Sequence, residues 1–81
     1  MDERQILTEI SALVDREHQL RTKVQSGEVN SQEEHAQLAE LEGALDQCWD
    51  LLRQRRAKRE YGQNADDATV RSVDEVEKYL Q

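Results

Sequence analysis

Ile6, Ile10, Leu13, Leu20 and Val24 step along the first part of the chain by 4, 3, 7 and 4 positions. Glu17 occupies the slot that the step of seven skips, and Leu7 and Val14 widen the row. Alternating steps of three and four draw one stripe along a helix and leave charges on the other faces. The row predicts a helix over about 3–26. Glu17 and Arg21 stand four apart in the favourable order, which adds a few tenths of a kcal/mol. Glu17 within the apolar row reads as a determinant of register or oligomeric state.

Gly27 breaks the pattern, and Glu28, Val29 and Asn30 complete a short loop. Glycine after a helix readily takes the left-handed cap conformation. Ser31-Gln32-Glu33-Glu34 has the S-x-x-E form of a helix start. Leu38, Leu41, Leu45, Cys48 and Leu52 then step by 3, 4, 3 and 4, with Trp49 beside the row, and predict a second helix over about 32–61. Gly43 falls within it and reads as a tolerated weak point, costing about 1 kcal/mol against alanine, rather than as a site of close helix approach.

Two helices joined by so short a loop fold back on each other. With the turn near residue 29, Leu20 faces Leu38, Leu13 faces Leu45, Ile10 faces Cys48 and Ile6 faces Leu52. The two stripes match layer for layer. Gly62 ends the second helix, residues 63–69 read as a polar linker, and Ser72-Val73-Asp74-Glu75 opens a short helix with Val73, Val76 and Leu80 on one edge. The expected architecture is all-α: a long, coiled-coil-like antiparallel hairpin over 1–61, then a polar linker and short C-terminal helix over 62–81. Leu7, Val14, Trp49 and Leu51 make the apolar surface wider than one partner helix covers, so a homodimer is expected.

Composition tests that picture without overturning it. Ile, Leu and Val make up 17 of 81 residues, and the chain carries 36% charged residues, a net charge of −7 and no Phe or Pro. Those totals lie near the border of disorder, so the periodicity decides. A single Cys excludes an internal disulfide and points to a reducing cytoplasm. No signal peptide and no membrane span are visible. The acidic balance opposes general nucleic-acid binding.

The chain also resembles a family of short acidic actinobacterial proteins of unknown function. The resemblance rests on MDERQILTEISALVDREHQLR, on GEVNSQEEHAQLAELE, on LDQCWDLLRQRRA and on VRSVDEVEKYLQ, and so covers nearly the whole chain. It implies a cytosolic protein and supplies no catalytic residue.

Candidate chemistry is sparse. Cys48 reads as a core residue whose neighbours Asp46 and Asp50 raise its pKa. Trp49, at the edge of the stripe, is expected in a dimer contact or beneath the C-terminal segment, ahead of a role in stacking on a nucleobase. Arg53, Arg55, Arg56, Lys58 and Arg59 gather where a helix dipole favours cations, with Arg55 and Arg56 set against Asp2 and Glu3. The alternative for that run is a phosphate or nucleic-acid patch, but few aromatics adjoin it and acidic residues follow it. His18 and His35 lack the paired Glu-x-x-His pattern of a di-iron bundle. With no phosphate loop, no nucleophile paired with a base and no concave scaffold, no enzyme, cofactor or metal site is expected. The reading is a cytoplasmic interaction protein with an unspecified protein partner, and weak nucleic-acid or nucleotide binding through the basic run as the alternative.

Overall fold

The structure is a computed structural model that describes residues 1–80, with side chains through residue 78. The order is α1 (Glu3–Gln25), α2 (Ser31–Glu60), a 3-10 turn (Ala65–Asp67) and α3 (Val73–Leu80). The fold is all-α, as the periodicity predicts, and its two long helices form an antiparallel hairpin. It measures 51 × 25 × 14 Å along its principal axes.

Each helix end has a local cause. Asp2 caps α1: its carboxylate accepts from the Gln5 amide at 2.8 Å, while the Asp2 amide donates to the Gln5 side chain at 2.9 Å. That reciprocal capping box has the form D-x-x-Q, a variant of the S-x-x-E signature that the same residues already spell in the sequence. At α2 the cap is Asn30, not Ser31. The Asn30 side chain accepts from the Glu33 amide at 2.9 Å and donates to the Glu33 carboxylate at 3.3 Å. Asn is as good a cap as Ser, and here it holds the extended backbone that a cap needs. At α3, Ser72 Oγ does accept from the Glu75 amide, at 3.3 Å.

Both long helices stop at glycine. Gly27 has φ 79° and Gly62 has φ 69°. After α1 the Glu28 amide returns to the Lys23 carbonyl and the Gly27 amide to the Val24 carbonyl. After α2, Gln63 returns to Lys58 and Gly62 to Arg59 in the same pattern. This is the Schellman arrangement, and its left-handed residue explains why glycine stands at both stops.

The core lies toward the open end of the hairpin, away from the Gly27 turn. Ile6, Ile10, Leu51 and Leu52 form one buried cluster, joined by Leu45, Cys48 and Ala68. Leu13 and Leu20 are also buried, whereas Leu38, Leu41 and Leu45 opposite them are only half-buried. The stripes therefore meet as expected but are unequally covered. Leu51 corrects the sequence reading: it is 5% exposed and belongs to the core, not to an uncovered flank.

The cover comes from the tail, which runs back along α2 as a strap. In order, Arg55 meets Ala65 and Asp66, Gln54 meets Thr69, Asp50 and Gln47 meet Arg71, and Gly43 meets Val73. Positions 43, 47, 50 and 54 form a stripe of their own, recurring by 4, 3 and 4. Val76 of α3 is fully buried, while the Leu80 side chain assigned to the same apolar edge lies outside the described residues. The supposed polar linker is thus a fitted segment containing one 3-10 turn.

Gly43 is corrected as well. A Cβ there would stand 3.3 Å from both methyls of Val73, so the residue is a site of close approach and not a mere weak point. The approach comes from α3, whose position no local pattern around residue 43 reveals.

Candidate functional site

The five cations of the basic run have different fates. The Glu3 carboxylate accepts from Arg56 Nε at 3.0 Å and pairs with Arg59 at 3.5 Å. The Arg56 hydrogen bond, with Arg59 nearby, holds the Glu3 carboxyl below its ordinary range. The basic end of α2 thus meets the acidic start of α1 as expected, with Arg56 on Glu3. Arg55 meets neither Asp2 nor Glu3. It is buried, and its Nη1 donates to the Ala65 carbonyl at 3.2 Å and to Asp66 at 3.1 Å. Its Nε is buried without a hydrogen-bond partner. Arg55 follows Gln54 of the strap-facing stripe and lies about 100° around the helix from Arg56, and its side chain reaches under the strap. Lys58 is half-buried and Arg53 is exposed. The run is therefore divided among a terminal ion-pair cluster, a strap anchor and a residue facing solvent, and is not one continuous patch.

The shortest ion pair among the described residues lies elsewhere. Asp50, 3% exposed, receives Arg71 Nη2 at 2.6 Å on one oxygen and Arg71 Nε at 2.9 Å on the other. Gln54 donates to the same carboxylate at 2.8 Å. Such a two-pronged arginine–carboxylate contact fixes geometry as well as charge. Burial alone would raise the Asp50 pKa, but the hydrogen bonds from Arg71 and Gln54, with the Arg71 charge, outweigh it and hold the carboxyl below its ordinary range. Sequence inspection misses this pair. An Asp in a helix and an Arg in a distant tail segment carry no joint signature until the strap is seen.

Cys48 is half-buried against the core. Its pKa is raised, first by burial and then by the Glu9 charge. The direction is as expected, but the charge that contributes is that of Glu9 on the facing helix and not that of Asp46 or Asp50. We expect Cys48 to react with iodoacetamide at neutral pH more slowly than free cysteine, because the thiolate is the nucleophile. Urea should bring the rate up to that of free cysteine. A native rate equal to the unfolded one would contradict the burial.

Trp49 is 41% exposed, and Leu7 and Val14 are exposed to a similar degree. Glu3, Leu7 and Val14 recur at four and seven positions and share one face of α1. Trp49 and Arg56 are seven apart and share one face of α2. The Glu3–Arg56 bond sets those two faces side by side. Leu7, Val14 and Trp49 therefore form one apolar patch on a single side of the hairpin. The strap stripe of α2 lies roughly 130° around the helix from Trp49, at 3.6 residues per turn. Trp49 is consequently not beneath the C-terminal segment, which leaves a contact with another molecule as the surviving sequence expectation.

A shallow cleft of about 300 Å³ near the turn is lined by Arg16, Gln19, Leu20, Lys23, Gln37, Glu40 and Leu41. It contains no nucleophile paired with a base. His18 and His35 are both exposed, and among the described residues no three His, Cys, Asp or Glu side chains converge as metal ligands. Among the described residues no helix is long and apolar enough to cross a membrane.

These features define a class: a small helical hairpin braced by its own C-terminal strap, with an apolar patch left open on one side. The chain belongs to the family described as protein of unknown function (DUF2630), whose model matches residues 2–81. It is 48% identical over 73 residues to an uncharacterised protein of Mycobacterium bovis and, equally, to uncharacterised proteins of two Mycobacterium tuberculosis strains. The matched stretch covers 90% of this chain and 84% of each relative. No solved structure matches the chain.

Proposed function

We propose that this chain is a non-enzymatic interaction module of the cytoplasm, and that its working surface is the face carrying Leu7, Val14 and Trp49. The supporting observation is the exposure of Trp49 together with Leu7 and Val14 on one side of a thin hairpin. Tryptophan gains most from burial at an interface, where a rigid ring fills a pocket with little loss of entropy. The divided basic run speaks against the nucleic-acid alternative, because Arg55, Arg56 and Arg59 already have carboxylate partners within the chain.

The test compares proteins retained from a native extract by the intact chain and by Trp49→Arg, with circular dichroism confirming equal helix content. Loss of specific bound proteins from the variant is the expected result. An unchanged set would refute the assignment. For the nucleic-acid alternative, the informative reversal is Arg53→Glu with Lys58→Glu. Reversing Arg55 would unseat the strap and confound the outcome.

A further inference from the structure

The patch around Trp49 carries an asymmetric distribution of charge, which identifies an occupant. On the same side of α2, Arg53 and Arg56 lie four and seven residues beyond Trp49. Asp46 and Glu42 lie three and seven residues before it. At 1.5 Å per residue, positive charge sits about 6 and 10.5 Å toward one end of the helix, and negative charge about 4.5 and 10.5 Å toward the other. Arg53 and Glu42 are exposed, and neither is in an ion pair among the described residues. Arg56 is shared with Glu3, and Asp46 is half-buried.

A surface that reverses its charge about an apolar centre is complementary to itself after a two-fold rotation. That is the requirement for an interface in which both copies use the same patch. We propose that two copies of this chain dock through the Leu7–Val14–Trp49 face, with their α2 helices antiparallel and the two-fold axis passing beside Trp49. The two Trp49 rings and the Leu7 and Val14 side chains form the dry centre. Arg53 of each copy stands within side-chain reach of Asp46 and Glu42 of the other. The straps remain on the outer sides, so dimer formation requires no unfolding. This inference rests on the proposed working surface and names its occupant.

The stretch from Glu42 to Arg56 is about 21 Å long, and two helices are roughly 20 Å wide. Roughly 400 Å² per copy is about half of what a stable interface of standard size buries on each side, so the dimer is a weak and reversible one. Its ionic component makes it weaken as salt rises.

The decisive experiment is sedimentation velocity from micromolar to millimolar concentration on the intact chain, on Arg53→Glu and on Glu42→Arg, with circular dichroism confirming equal helix content. The intact chain should move from one-chain to two-chain mass. Each single variant creates two like-charge contacts per dimer and should raise the dissociation constant at least about tenfold, since such juxtapositions are heavily penalised. An equimolar mixture of Arg53→Glu and Glu42→Arg should recover dimers. In the mixed pair the new acid at position 53 of one copy meets the new base at position 42 of the other. The unaltered Glu42 and Arg53 meet at the symmetry-related contact. Recovery on mixing is specific to this geometry and would not arise from a dimer built on another face. A chain that stays at one-chain mass up to millimolar concentration overturns the proposal, as does a dimer indifferent to both substitutions. In either case, Trp49-dependent capture of other proteins would still support the broader interaction role.

Discussion

Asp50→Ala should lower the stability of this protein by about 2–3 kcal/mol and release the strap, because breaking a buried ion pair from one side costs about 3–5 kcal/mol when the surviving charge stays buried. Here the Arg71 side chain is 30% exposed, so its charge is not left in a dry interior, which places the effect below that range. The loss also removes one of the two hydrogen bonds that the Gln54 amide donates, leaving the one to the Thr69 carbonyl. A chain of this size has roughly 4–12 kcal/mol in total, so the change is a large fraction of it. Urea unfolding followed by helix signal should show a lower midpoint. Proteolysis should cut within residues 63–80 before the hairpin opens. A midpoint within about 0.5 kcal/mol of the parent, together with an unaltered cleavage pattern, would mean that the strap is held by other contacts.

The same pair sets the behaviour in acid. The Asp50 pKa is lowered on folding from its ordinary 3.8. A lowered carboxylate stabilises the fold above its unfolded value and loses that contribution as pH falls through the folded one. Strap release should therefore begin only below about pH 3.8, and Asp50→Ala should lack that step.

Leu52→Ala is expected to cost about 3 kcal/mol, in the range for truncating a buried leucine. Leu52 is 1% exposed and sits with Ile6, Ile10 and Leu51, the best-covered part of the molecule. The matching change at the turn end, Leu38→Ala, should cost about 1 kcal/mol, because Leu38 is half-buried and its loss leaves a smaller cavity. Urea midpoints of the two variants check the contrast. Equal losses would show that the hairpin core is uniform along its length and that the strap adds no cover.

Local signals account for what the sequence discloses. Steps of three and four fix which residues of each helix share a side, and two glycines with positive φ fix where both long helices stop. The short turn between Gln25 and Ser31 leaves the hairpin no other way to close. Those are short-range constraints, written within a few neighbouring positions, and they determine the helices, their antiparallel pairing and the approach of the acidic start of α1 to the basic end of α2. The start of α2 is ambiguous by one residue because Asn30 and Ser31 stand side by side and both are good caps.

The tertiary structure alone decided the second face of α2. Gly43, Gln47, Asp50 and Gln54 contact a distant tail segment, and the partners are a valine, backbone carbonyls and one arginine. Polar side chains at helical spacing resemble any solvated surface until a chain segment is laid on them, so nothing near residue 50 distinguishes a buried Asp from an exposed one. The fate of the basic run follows from the same cause. Arg55 and Arg56 are adjacent in sequence, but neighbouring helix positions point about 100° apart. One therefore lies beneath the strap while the other meets Glu3. The sequence determined the hairpin because its signals are local and periodic. The strap, the buried Asp50–Arg71 pair and the side left open around Trp49 depended on long-range placement, which the periodicity does not encode.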